Sequence, residues 1–397
     1  MKDAFLALDF GMSNVHVTLI DAESAEAIVG TKKKFCWYMP RVGEVELHAE
    51  EVWKASESAV ADMMLCIPKD VRLLSMTFSF FGDNITPVDA DGNALYAMIP
   101  GLCGRSEEQV KLIDREIGQD EYARITGNTL STLSSVSKIL WLKEHHPEVF
   151  AAAKSFYSVQ EFVMHKLGFP GVQDRTMAAR KLALDVKEDR WSGPLLELMG
   201  ISEDRLGTNI VESATVLGKT GTYGNVKFPY ELPVTIGCHD VAAAILAAGG
   251  DDPDTIGILM GTYEQGGYFS EHFIDGCNDF GDSLIYSCCY SAPFKGKYTV
   301  MDAFPTAGAL LEWYAKNIYG DENVDIGELI ARVPLNGRNP LLFLPYVGNS
   351  HGAILGMELG TTRNDIFESL LESLAFQFAA CMDYLRSTRE EPFTRIR

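Results

Sequence analysis

Two aspartates stand where the chain turns beside glycine and small polar residues. Asp9 closes the apolar run Leu6–Leu8 and is followed by Gly11, Ser13 and Asn14; Asp240 follows Gly237, Cys238 and His239 and opens the apolar run Val241–Ala248. An aspartate at a strand end can hold Mg²⁺ directly or through water, because that ion prefers carboxylate and water oxygens. A glycine next to small polar residues lets backbone N–H groups turn toward an anion. Asp240 falls where a strand meets a helix N-terminus, a position that favours anions. It reads either as a helix cap, contributing about 1 kcal/mol, or as a general base for a substrate hydroxyl, a role worth roughly 10²–10⁴-fold in rate. A third place, Gly261-Thr262, lies between two apolar runs, and its N–H groups and hydroxyl can grip the terminal phosphates of a nucleotide. Taken singly, the Asp9 loop and Gly261-Thr262 are equally plain hairpin turns. His239 reads as a core or hinge histidine without a catalytic part.

Other signals fail on their own terms. Gly218-Lys219-Thr220 imitates the end of a phosphate-binding loop, but Ser213 occupies the place of the first glycine and "GTYGNV" follows as a turn with no helix. His145-His146 reads as a solvated face, and the adjacent Cys288 and Cys289 point opposite ways in a strand.

The elements that must hold these residues alternate between strand and helix. Strands are expected over Ala4–Leu8, Val15–Ile20, Ala27–Lys33 and Val71–Phe78. A helix is expected over Glu50–Cys66, with Val52, Ala55, Ala59 and Met63 on one face. "VDADGNAL" is a hairpin turn around Asp91-Gly92. From Ser106 to Gly200 helices dominate, one broken at Pro147, which opens the next. "ELPVTIGCHDVAAAILAAGG" runs strand, turn, helix; "DTIGILMGTYEQGGYFS" runs strand, turn, strand; Thr362–Leu385 is a long helix. This is an α/β pattern with mixed sheet, and the two halves begin alike, which places a domain boundary near Gly249–Asp254.

Composition narrows the partners. The 397 residues exceed one ordinary core. With 34 Lys and Arg against 55 Asp and Glu, the net charge is −21, which argues against nucleic acid or an anionic membrane as partner. No apolar run reaches the roughly 18–20 residues of a membrane span, no secretory pattern opens the chain, and the eight cysteines form no Cys-x-x-Cys pair. Reduced thiols in a cytoplasm are expected.

The order of the three loops, followed by "TAGALLEWYAKN", "LLFLPYVGN" and "GAILGMELGTTRNDIFESLLESLAFQF", resembles the FGGY family of carbohydrate kinases. Gly352, Ile354, Gly356, Asp365, Ser369 and Glu372 follow the family's C-domain signature, with Leu370 outside the usual choice. "SKILWLKEHHPEVFAAAKSFYSVQEFVMHKLG" and "MAARKLALDVKEDRWSGPLLELMGIS" resemble N-domain segments. The resemblance implies a two-domain actin-like, ribonuclease H-like α/β fold, with residues 1–249 as the sugar-binding domain carrying the base and 250–397 as the nucleotide-side domain. It implies ATP and Mg²⁺ as cofactors and transfer of the γ-phosphoryl to a hydroxyl of a small sugar or polyol, a ketose such as xylulose by family precedent. In that frame Asp240 is the catalytic base and a metal-side carboxylate, and Asp9, with Gly11 and Ser13, forms the metal-associated first phosphate loop. Gly261 and Thr262 form the second phosphate loop, and Gly308 opens the helix beside the nucleotide. A homodimer fits the family.

Three departures accompany the resemblance. The first loop reads Met12-Ser13-Asn14 with His16 at its basic position, and a mostly neutral histidine holds phosphate less well than arginine. The substrate stretch reads Phe81-Gly82-Asp83, and "PGLCGR" keeps only Arg105 of the usual pattern, leaving Asp83 and Arg105 to meet the sugar. Relatives continue past "FTRIR" into an adenosine-binding block, so the resemblance implies a truncated second domain with low ATP affinity. A catalytically impaired sugar-binding or regulatory relative is the alternative reading.

Overall fold

The structure is a computed structural model that describes residues 2–260, 264–275, 286–304, 307–321, 324–333, 339–345 and 352–397. The chain divides into two compact units. One comprises Met1–Ala243 with Glu271–Gly276 and Cys289–Tyr298; the other comprises Ala244–Ser270, Cys277–Cys288 and Thr299–Arg397.

The first unit is built on strands β1 (Lys2–Phe10), β2 (Asn14–Asp21) and β3 (Ala27–Lys34), helix α1 (Ala49–Cys66) and strand β4 (Val71–Phe80). Alternation along β1 and β2 buries Leu6, Leu8, Phe10, Val15, Val17 and Leu19 on one face, as period-2 patterning requires. The α1 stripe Val52, Trp53, Ala59, Val60 and Met63 packs into the same core, an arrangement in which a helix covers the apolar face of a sheet. Strands β5 (Val216–Tyr223), β6 (Val226–Thr235) and β7 (Cys238–His239) complete a seven-stranded sheet ordered β5-β6-β4-β1-β2-β3, with β7 also on β4. Gly218-Lys219-Thr220 lies in β5 as extended chain.

Two registers decide where chemistry can occur. Strand β1 runs parallel to β4 with Asp9 beside Ser79 and Phe10 beside Phe80. Strand β7 runs parallel to β4 with Cys238 beside Ser79 and His239 beside Phe80. Three parallel strands therefore end together, and Asp9, Phe81-Gly82-Asp83 and Asp240 leave from one edge. The carboxyl edge of parallel strands is where open α/β sheets bind ligands. Stacked rings of Phe10 and Phe80, 5.0 Å apart, fasten two of these ends beneath the site.

Between β4 and β5 the helices α2 (Ser135–His145), α3 (Val159–Lys166) and α4 (Arg175–Ala179) supply buried walls. Ser134 accepts the Val136 N–H at the start of α2, and Ser158 with Glu161 forms a capping box on α3. Glu161 also forms a fully buried ion pair with Lys181 at 2.6 Å. Helix α5 (Asp240–Ala247) follows β7 directly.

The second unit holds most of a five-stranded sheet, the rest of which lies in the returning segment Cys289–Tyr298. Its strands are β8 (Thr255–Met260), β9 (Glu264–Ser270), β10 (Tyr286–Ser291), β11 (Tyr298–Phe304) and β12 (Arg395–Ile396), in the order β10-β11-β9-β8-β12. "FTRIR" supplies β12, parallel to β8. Helix α6 (Gly308–Tyr314) and the long helix α7 (Arg363–Ser387) bury Leu310, Tyr314, Phe367 and Leu370 together. Thr362 and Asp365 close a capping box on α7, so this signature aspartate starts a helix. Among the described residues no helix is long and apolar enough to cross a membrane.

Candidate active site

Asp240 sits at the junction of β7 and α5 because Gly237 lets the chain bend there. Gly237 has φ +75°, and a Cβ on it would lie 1.8 Å from the Phe78 carbonyl oxygen; only glycine fits so close to backbone. The Asp240 side chain is 35% exposed. Its Oδ1 accepts the Val241 N–H at 2.7 Å and lies 3.2 Å from His239 Nε2. Oδ2 has no hydrogen-bond partner among the described residues. Desolvation, then the carboxylate of Asp9, then that of Asp83 push the Asp240 carboxyl up to about 7, against the Val241 N–H and the Arg180 guanidinium. A carboxyl poised near neutrality is matched to general-base work.

Asp9 occupies the accessible face of β1, between buried Leu8 and Phe10, and accepts a hydrogen bond from the Ser79 hydroxyl. The loop after it is held from behind. Gly11 N–H donates to Asn14 O at 3.0 Å, Phe35 N–H to Ser13 O at 3.2 Å, and Trp37 Nε1–H to Met12 O at 2.6 Å. The N–H groups of Met12 and Ser13 take no partner among the described residues, and Asn14 Oδ1 is buried without one. A loop with free N–H groups beside an accessible carboxylate fits a phosphate and its cation. Among the described residues no three acidic, imidazole or thiol groups converge on one point. Asp9 and Asp240 offer two carboxylates, as Mg²⁺ needs when water and phosphate oxygens fill its remaining positions.

Asp83 lies in the left-handed region at φ +58°, a strained backbone of the kind that clusters at functional sites. Lys138, fully buried, holds its carbonyl at 2.8 Å, and Arg180 pairs with Oδ2 at 2.5 Å. Asp83 Oδ1 is buried and unpartnered. Arg180 also donates to Asn128 Oδ1 at 2.8 Å and lies over the Tyr290 ring at 5.2 Å.

Arg105 belongs to another cluster. Its side chain is 1% exposed and pairs with Glu46 at 2.8 Å. It also donates to Cys103 Sγ at 2.9 Å and Tyr96 Oη at 3.2 Å, and it lies over Trp141 at 4.8 Å. None of these partners hydrogen-bonds to Asp83 or Asp240 among the described residues. Gly308 is the half-buried first residue of α6, and Gly261 and Thr262 lie outside the described residues.

Sequence reading passed over Arg180 and Lys138 and gave His239 no part near the base. The signal was Arg180-Lys181 inside the apolar run "MAARKLALDV", since cations enter a core almost only when paired. His239 is buried, as a core histidine would be, and its ring also reaches Asp240.

Comparison with known proteins agrees with this architecture. The model of the FGGY family of carbohydrate kinases, N-terminal domain, matches residues 4–247. A glycerol kinase of Thermococcus kodakarensis is 26% identical over 392 residues, covering 95% of this chain and 76% of its own. A xylulose kinase of Escherichia coli is 24% identical over 407 residues, covering 98% and 80%. Among solved structures, ligand-bound xylulose kinase from Lactobacillus acidophilus superposes with TM-score 0.86 at 19% identity, over 99% of this chain and 80% of that one. Plasmodium falciparum glycerol kinase with ADP gives TM-score 0.82 at 19% identity, over 100% and 81%. The structural likenesses establish the fold, and the family match extends over more than half of the sequence. This chain belongs to the FGGY family of carbohydrate kinases.

Proposed function

We propose that this phosphotransferase moves the γ-phosphoryl of MgATP to a hydroxyl of a small sugar or polyol, a ketose such as xylulose first among them, with Asp240 as general base. The observation that carries this reading is Asp240 itself: a carboxyl pushed up to about 7, with Oδ2 open, beside Asp9 at the ends of parallel strands. Asp240 Oδ2 takes the acceptor's proton as the oxygen–phosphorus bond forms and ADP leaves. Asp83 Oδ1 accepts a second acceptor hydroxyl, and Arg180, rather than Arg105, is the guanidinium that supports it. Asp9 would hold Mg²⁺ directly and Asp240 through a water, while Gly11, Ser13 and the Met12 and Ser13 N–H groups would face phosphate. When bound there, Mg²⁺ would supply neutralisation of the charge that develops on the transferring group. Residues 1–249 thus carry the acceptor and base, and residues 250–397, with Gly261, Thr262 and Gly308, the nucleotide side.

The test is ADP release across ketoses, polyols and aldonates, beside direct binding of each. Acceptor-stimulated turnover that falls about 10²–10⁴-fold in Asp240→Asn supports the reading. Binding of an acceptor with no turnover would instead identify a sugar-binding relative that has lost catalysis.

A further inference from the structure

His239 is 5% exposed, and three contacts fix it. Its backbone N–H donates to Thr176 Oγ1 at 2.7 Å, its Nδ1 lies 2.9 Å from the Tyr290 hydroxyl, and its Nε2 lies 3.2 Å from Asp240 Oδ1. The ring also closes against Gly82, where a Cβ would stand 2.8 Å from Nε2. Tyr290 is fully buried and meets the imidazole edge-on, with centroids 5.7 Å apart at 75°.

A neutral imidazole has one N–H and one lone pair. An ionised carboxylate only accepts, whereas a phenol can donate, so one assignment satisfies both neighbours. Nε2–H donates to Asp240 Oδ1, and Tyr290 O–H donates to Nδ1. With the Val241 N–H on the same oxygen, Oδ1 is fully engaged and Oδ2 is the atom left to receive a proton. We propose that His239 is a positioning residue that holds the Asp240 carboxylate through Nε2–H, and that Tyr290 fixes the ring in that tautomer. This rests on Asp240 being the base. The charged groups facing the pair are Asp9, Asp83 and Arg180.

His239→Leu removes the donor, His239→Gln returns an N–H close to the Nε2 position, and Tyr290→Phe removes only a hydroxyl. His239→Leu is expected to lower kcat about 10- to 100-fold while leaving the acceptor KM within a few-fold, as loss of a supporting hydrogen bond does. The pH at which activity turns on moves upward, because a hydrogen bond to the charged form is gone. His239→Gln recovers most of the rate, and Tyr290→Phe falls between. In an Asp240→Asn background the His239→Leu change has no further effect on kcat. Equal losses in Leu and Gln, or a loss confined to KM, overturn the proposal.

A measurement on the unaltered chain guards against variants that do not fold. Nitrogen-15 spectra of the His239 ring at alkaline pH should show a neutral imidazole protonated at Nε2, and a ring protonated at Nδ1 overturns the assignment. If the unaltered chain transfers phosphate to no acceptor, the catalytic reading has failed, and the ring spectrum still decides the tautomer.

Discussion

The raised Asp240 carboxyl comes at a cost to folding, and linkage gives the sign. Its carboxyl is raised from an ordinary 3.8 to about 7 by desolvation and by Asp9 and Asp83. Between those values the folded chain holds a proton that the unfolded chain has released, so stability declines as pH rises through that window. Above about pH 7 the whole penalty is present. Asp240→Asn, which cannot ionise, is therefore expected to melt higher than the unaltered chain at alkaline pH, by about 2–4 °C. The gap should close toward pH 4, and a thermal melt series across pH measures it. A variant that melts lower at alkaline pH would show that the carboxylate is stabilised in place. Asp240 and Asp9 were legible as candidates from residue type beside glycine. The residues gathered around Asp83 and His239 were not, because Arg180, Lys138 and Tyr290 come from segments far apart in sequence. Arg105 shows the converse: a cation that the resemblance assigned to the substrate, whose N–H groups serve Glu46, Cys103 and Tyr96. Arg105→Met should destabilise the fold by about 3 kcal/mol in urea unfolding, as a broken buried pair does. Acceptor KM should hold; a raised KM with unchanged stability would restore Arg105 as a sugar ligand.

At the scale of elements, the long strands and helices followed from their patterns. Alternation in β1 and β2, the α1 stripe and the capping residues of α7 all lie within one segment, where local physics decides. The two-residue strand β7 does not, because its place on β4 depends on Gly237 approaching the Phe78 carbonyl across the sheet. That register, and not any local signal, sets Cys238 level with Asp9, so that Asp240, two residues on, leaves from the same strand ends. Gly82 is a second such point, packed under the His239 ring and 3.2 Å from Arg180 Cγ once a Cβ is added. Gly82→Ala should destabilise by about 1–3 kcal/mol, the usual effect of overpacking. The displaced ring should also reduce kcat more than it changes KM. Unchanged kcat in a well-folded Gly82→Ala would mean that the ring and the base are uncoupled.

Across the whole molecule, an excess of 21 negative charges coexists with a few cations in the interior. Lys138, Lys181 and Arg180 are at most 4% exposed, so basic residues brace the interior, Lys138 and Arg180 at Asp83 and Lys181 at Glu161, while the chain as a whole remains acidic. The division into units also exceeds what a single cut near Gly249 can express, since Glu271–Gly276 and Cys289–Tyr298 return to the first unit. Tyr290 arrives on one of those returning segments and meets His239 there. The measurement that tests this account most directly is kcat/KM for the best acceptor as a function of pH, with Asp240→Asn alongside. The rate should rise through about pH 7 in the unaltered chain, and the variant should be slower by about 10²–10⁴-fold with no such rise. A flat profile across neutrality, or a variant as fast as the unaltered chain, would contradict it.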